Sequence, residues 1–278
     1  MKIFFSGIAG SGVSAIAGFM ADRGNSVAGS DRLFDREPDH PLKNIFVHKG
    51  VLVVSQDGNG LDTSVDLAIF STAVEKDNPD LAAAERFKIP IKTRPEYLAE
   101  IVSMFKTVAV AGTSGKSTMS GMLAFVMQRL GMAPNFIGGG RVKQFRTPEN
   151  QGNGLVGNSD LLVIEACESD GSIVNYRPVH SIIANLDLDH HSVADTASMF
   201  EQLAAHTSGL VIVGGDDENL SRCRLGNAVG FSIDRKSEYQ ATDITYHSLT
   251  TSFSVAGQRF ELNMPGRHNL YNSLACIA

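Results

Sequence analysis

The sequence predicts an α/β protein: two parallel-sheet domains in series, the second carrying an added antiparallel sheet. Three observations lead there. Short apolar runs alternate with helical stretches up to about residue 105, and the alternation restarts at residue 106. Each series opens on a strand, a glycine-rich turn and a helix, first in 3-IFFSGIAGSGVSAIAGFM-20 and again in 107-TVAVAGTSGKSTMSGMLAF-125. From residue 228 the runs VGFSI, ATDITYHS, TTSFSVAG and QRFELNM alternate polar and apolar residues, the pattern of half-exposed antiparallel strands.

In order, KIFFS (2–6) reads as a strand, 12–24 as a helix, and SVAG (26–29), VLVV (51–54) and DLAIFS (66–71) as further strands. A helix is expected at 79–88, a short run IPIK at 89–92, and a helix at 95–105 that leads out of the first domain. The second series has a strand at 106–111, a helix at 115–130 ended by Gly131, strands at 161–165, 180–184 and 210–213, and a helix at 196–207. Residues 138–160 are glycine-rich and polar and read as a loop. The end, PGRHNLYNSLACIA, reads as a helix start behind Pro265-Gly266.

A chain of 278 residues suffices for two ordinary domains. A net charge of -6 gives no basic footprint, so no nucleic-acid partner is expected. The three cysteines, Cys167, Cys223 and Cys276, are far apart and odd in number, which argues for a reducing compartment without disulfides or a structural zinc site. The N-terminus lacks the apolar region of a signal peptide, and no run approaches the roughly 18–20 apolar residues that span a bilayer. The expectation is a soluble, cytoplasmic protein without a membrane partner.

In the first loop, Gly7, Gly10 and Gly12 follow a strand and open a helix. Glycines let the backbone approach a ligand, and the helix N-terminus offers free N–H groups to a diphosphate. Asp31 ends the second strand about 20 residues on, where an acid can meet ribose hydroxyls. The spacing is GxxGxG rather than the dinucleotide GxGxxG. Three readings stand: a nucleotide diphosphate other than NAD, NAD or FAD, or a tight turn without a ligand.

The second loop, Gly112-Thr113-Ser114-Gly115-Lys116-Ser117-Thr118, is a shortened phosphate loop, with Val110 where the strict motif has glycine. Its backbone N–H groups suit phosphates, Lys116 suits the β- and γ-oxygens, and the Ser117 hydroxyl suits Mg²⁺. Glu165 ends one later strand, and Asp187, Asp189 and His190 follow another. In a parallel sheet these strand ends share the edge of the loop. One carboxylate plus Ser117 is the expected set for a first ion. His190 reads either as a metal or phosphate contact or as a structural hydrogen bond.

Taken together, these motifs resemble the Mur ligases, ATP-dependent amide-forming enzymes of peptidoglycan precursor synthesis. GIAGSGVS (7–14), GSD (29–31), STAVEKDNPDL (71–81) and IPIKTRPEYLAEI (89–101) resemble the family's first domain. GTSGKST (112–118), EACESD (165–170), NLDLDH (185–190) and PGRHNLYNSLA (265–275) resemble its central domain. The resemblance implies a Rossmann-like UDP-sugar-binding domain at 1–97 and a P-loop-type ATPase domain at 98–278, the latter cut short. It implies that Gly10, Ser11, Gly12 and Val13 hold a UDP diphosphate, with Asp31, Ser71 and Thr72 around the uridine. Gly112 to Thr118 would bind ATP, with Lys116 on the phosphates and His268, Asn269 and Asn272 near the adenine. Ser117 and Glu165 would hold one Mg²⁺ and His190 a second, making Lys116, Glu165 and His190 catalytic.

The implied reaction joins L-alanine to the lactyl carboxylate of UDP-N-acetylmuramate through an acyl phosphate, with ATP and Mg²⁺ as cofactors. The alternative acceptor product comes from a murein tripeptide in place of L-alanine. Ser114, Ser117 and Cys167 depart from the family pattern, which bears on the substrate. The family's third domain has no counterpart in this sequence, so a fragment inactive by itself is expected. Two rivals are an NAD-dependent oxidoreductase built on the first loop, and an inert UDP-sugar-binding module. Oligomeric state is not encoded in any motif.

Overall fold

Five short parallel strands make the first sheet: β1 (Lys2–Ser6), β2 (Ser26–Ser30), β3 (Leu52–Val54), β4 (Leu67–Phe70) and β5 (Ile91–Thr93), in the order β3-β2-β1-β4-β5. The computed structural model describes residues 1–278. Between the strands run the helices α1 (Ser11–Asp22), α2 (Arg32–Arg36), α3 (Pro41–His48) and α4 (Pro79–Arg86), followed by α5 (Arg94–Ser103). Helix α1 buries Val13, Ile16 and Phe19, and Gly24 ends the turn behind it at φ +80°. Asn78 caps α4 by accepting from the N–H groups of Asp80 and Leu81, with Pro79 at the first helical position. Phe4, Leu61, Ala68, Phe70 and Ile89 form an apolar core in this unit. Helices α2 and α3 are absent from the sequence-based expectation. Helix α2 spans only five residues, too short for a helical period to stand out, and α3 spans eight.

The second sheet is laid down by β6 (Lys106–Ala111), which leads into α6 (Lys116–Arg129). After it come β7 (Asn135–Ile137), β8 (Gly154–Leu155), β9 (Leu161–Glu165), β10 (His180–Ile183), α7 (Val193–His206), β11 (Val211–Gly214), β12 (Val229–Ser232) and β13 (Tyr239–Gln240). Six of these strands run parallel in the order β13-β12-β11-β10-β6-β9. Strand β6, a Val/Ala run, lies between β10 and β9 and is nearly continuously buried. An antiparallel sheet follows, from β14 (Thr242–Tyr246), β15 (Thr251–Val255) and β16 (Gln258–Leu262), and α8 (Arg267–Ile277) closes the chain.

One expectation is corrected here. VGFSI was expected among antiparallel strands, but β12, which it forms, pairs parallel with β11, and β13, which was not expected, pairs parallel with β12. Only β14, β15 and β16 are antiparallel.

By packing, the chain divides into Met1–Ile101 with Pro134–Ser159, and Val102–Ala133 with Asp160–Ala278. The segment 134–159, most of which lies in the expected loop 138–160, contains the short antiparallel pair β7–β8 and packs with the first unit. The Gln151 amide donates to Ser14 Oγ at 3.0 Å, and the Asn153 amide donates to the same oxygen at 3.1 Å. No helix is long and apolar enough to cross a membrane.

Candidate functional site

In the second unit, Gly112 to Thr118 join the C-terminal end of β6 to α6. Two glycines are required by the backbone. Gly112 has φ +144°, and a Cβ there would lie 3.3 Å from that of Ala184. Gly115 has φ +82°, and a Cβ there would lie 2.9 Å from Asn272 Oδ1. No side chain caps α6, so its first N–H groups and the positive end of its dipole are presented at the loop.

Three side-chain arrangements shape this loop. Asn185, just past β10, accepts at Oδ1 from the Thr113 hydroxyl at 2.9 Å and the Ser114 N–H at 2.7 Å, and donates to the Ser114 carbonyl at 3.0 Å. The Lys116 ammonium donates to the Gly112 carbonyl at 2.7 Å and to Glu168 Oε1 at 3.1 Å. The Ser117 hydroxyl donates to Glu165 Oε1 at 2.8 Å. Lys116, Ser117 and Glu165 are therefore gathered in one place.

His190 is not part of that arrangement. Its ring is 59% exposed and its nearest acid is Asp189, at 3.9 Å. The neighbouring His191 contacts the Ser169 carbonyl at 3.1 Å. No group of three or more His, Cys, Asp or Glu side chains is arranged to hold a metal ion. The hydroxyl and carboxylate of Ser117 and Glu165 are hard oxygen donors, which fit a Mg²⁺ ion that keeps most of its waters. Near α8, Asn272 is buried against Gly115, Asn269 donates to the Pro265 carbonyl at 2.8 Å, and His268 is exposed. Tyr271 donates its hydroxyl to the Ala184 carbonyl at 3.2 Å and packs against Phe231. Burial pushes that phenol well above its ordinary range.

In the first unit, Gly7 turns at φ +79°, and a Cβ there would lie 2.9 Å from that of Ser71. The first loop is thereby placed against the Ser71-Thr72 turn. Gly10 precedes α1, whose N-terminus again has no side-chain cap, so Ser11, Gly12 and Val13 open the helix. Asp31 accepts from the N–H of Ala9 and from that of Leu33, each at 2.9 Å, so its carboxylate ties the loop to α2. The Arg94 side chain lies over Gly12, 3.1 Å from where a Cβ would stand.

Sequence reasoning missed Glu168, Asn185 and Arg94 as members of these sites. Glu168 and Asn185 lie inside the motifs EACESD and NLDLDH, which was the available signal. Arg94 lies inside the motif IPIKTRPEYLAEI, but that motif alone did not show that its side chain reaches Gly12.

The parallel first sheet, the mostly parallel second one and the glycine-turned junction of β6 with α6 define an α/β protein of the P-loop type. Residues 2–106 match the profile described as "Mur ligase family, catalytic domain", and residues 110–278 match that of the "Mur ligase middle domain". The chain belongs to the Mur ligase family. It is 32% identical over 295 aligned residues to UDP-N-acetylmuramate–L-alanine ligase of Caldicellulosiruptor saccharolyticus, covering all of this chain and 62% of the relative. It is 34% identical to the same-named ligase of Thermosynechococcus vestitus, covering 99% of this chain and 59% of that one. Among solved structures, UDP-N-acetylmuramate–alanine ligase of Thermotoga maritima superposes with a TM-score of 0.86 at 29% identity, over all of this chain and 64% of that one. The chain thus spans about three-fifths of the length of the curated relatives it matches.

Proposed function

We propose that this chain supplies the UDP-sugar and ATP sites of a ligase that joins L-alanine to the lactyl carboxylate of UDP-N-acetylmuramate, in peptidoglycan precursor synthesis. The observation that carries the reading is the convergence of Lys116, Ser117 and Glu165 at the uncapped N-terminus of α6. The names and identities of the relatives support the choice of L-alanine over a murein tripeptide.

A carboxylate and a triphosphate repel one another, so the barrier to phosphoryl transfer is largely one of charge and alignment. Lys116 meets the β- and γ-phosphates with an N–H donor. The backbone N–H groups of Gly112 to Thr118 hold the remaining phosphate oxygens. Ser117 and Glu165 hold Mg²⁺, which when bound neutralises charge on the phosphates. The family resemblance alone assigns His190 to a second ion, since its ring stands in solvent. Asn269, Asn272 and His268 are assigned to the adenine. Gly10, Ser11, Gly12 and Val13 hold the UDP diphosphate, with Asp31, Ser71 and Thr72 around the uridine. The carboxylate oxygen bonds to the γ-phosphorus as the bond to the β-phosphate breaks and ADP leaves. The neutral amine then attacks the acyl carbon, the carbon–oxygen bond to phosphate breaks, and inorganic phosphate and a proton are released.

Thermal unfolding with added ligand tests the assignment, since a ligand that binds only the folded chain raises its melting temperature. UDP-N-acetylmuramate and magnesium-ATP are each expected to stabilise the chain, and Lys116→Ala is expected to abolish the ATP effect while sparing the other. Stabilisation by NADH with none by ATP would replace the ligase reading with an oxidoreductase. An amine panel on the full-length enzyme then separates L-alanine from a peptide acceptor.

A further inference from the structure

Glu168 follows β9 by three residues and is 1% exposed. Both its oxygens lie beside the Lys116 ammonium, Oε1 accepting at 3.1 Å and Oε2 in ionic contact at 3.0 Å. Oε2 is buried and takes part in no hydrogen bond. Proteins rarely bury a carboxylate so fully unless a counter-charge holds it, and here that charge is Lys116, itself 11% exposed. An ammonium has three N–H donors. One goes to the Gly112 carbonyl and one to Glu168, which leaves one to meet a ligand.

We propose that Glu168 is a positioning residue of the phosphate loop, fixing the Lys116 ammonium in place and cancelling its net charge. The proposal rests on the assignment of this loop to a triphosphate. Lys116 then acts through the placement of its remaining N–H rather than as a free cation. A free cation would tighten the resting complex, and binding energy spent on the ground state does not lower the barrier. A held donor offers the alignment that phosphoryl transfer needs. The carboxylate also opposes the approach of phosphate, so the wild-type protein binds ATP less tightly than its loop allows.

The test is calorimetry of magnesium-ATP on the 278-residue chain at low and high ionic strength, comparing wild type, Glu168→Gln and Glu168→Asp. The Gln variant removes the charge and keeps the shape. It is expected to bind ATP about tenfold tighter at low salt, an advantage that shrinks as salt screens the uncovered cation. The Asp variant keeps the charge and is expected to restore the wild-type salt dependence, which a purely structural role would not produce. Equal or weaker binding by the Gln variant overturns the proposal. Wild-type protein that binds no ATP overturns the triphosphate assignment instead. The pairing is then judged without nucleotide, by thermal unfolding of Lys116→Met, Glu168→Gln and the double variant. Recovery of melting temperature in the double variant supports a coupled pair, and additive losses refute it.

Discussion

Asn185→Ala should unfasten the phosphate loop while leaving the sheet beneath it intact. The side chain makes three hydrogen bonds to the loop: it accepts from Thr113 Oγ1 and the Ser114 N–H, and it donates to the Ser114 carbonyl. Each is worth about 0.5–1.5 kcal/mol net. Asn185 is half-buried and Ser114 exposed, so water replaces part of what is lost and the lower part of that range applies. The sum is about 2 kcal/mol, or a fall of about 4–8 °C in melting temperature for a chain of this size. The thermodynamic loss understates the functional one. A loop that must be ordered by its ligand binds with that cost subtracted, so ATP affinity is expected to drop about tenfold or more. Differential scanning fluorimetry with and without magnesium-ATP, followed by calorimetry, reads both quantities. Asn185→Asp preserves the accepted bonds, loses the donated one, and turns a negative charge toward the Ser114 carbonyl, so it should bind ATP no better than the Ala variant. A melting temperature within 1 °C of wild type (about 0.3 kcal/mol) together with unchanged ATP affinity would refute the clamp.

Three further outcomes are expected. Asp80 is fully buried and accepts from Ser6 Oγ, Ser30 Oγ and the Gly58 N–H, so Asp80→Ala strands three buried donors and should cost about 3–5 kcal/mol in a urea melt. Ala256 adopts φ +48° beside Gly257 at φ +78°, the two-residue turn between β15 and β16, and Ala256→Asn should relieve backbone strain and gain about 1 kcal/mol, seen as a higher melting temperature. Burial raises the Cys276 thiol from 9.0 to about 12 and the Tyr97 phenol from 10.0 to about 12. Folding thus favours their protonated forms. The stability this contributes is fully present below pH 9 and is lost as pH rises through about 12, which pH-dependent urea melts will show as a falling midpoint.

Much of the site was legible because it is local. A strand, Gly112, Gly115, Lys116 and Ser117 follow one another in the chain, and the positive φ angles that demand glycine are properties of single residues. Glu165 was legible because a parallel sheet sends its strand ends to one edge, so the end of β9 had to lie near the loop after β6. His190 shows the limit of that rule. It follows β10 along the same edge, yet its ring stands in solvent while Asn185, five residues earlier, grips the loop.

What the sequence determined by itself was set by periodicity and by residue chemistry: the two α/β series, the phosphate loop, and the hairpin of β15 and β16. Tertiary structure alone decided which way β12 and β13 run. Parallel and antiparallel strands share the same two-residue period, so alternation in VGFSI cannot report direction. Tertiary structure also decided that the polar segment 134–159 packs onto α1 through Gln151 and Asn153, and that Glu168 is buried against Lys116. Such contacts join residues far apart in the chain, and their energy depends on burial and counter-charge, which no local window of sequence contains.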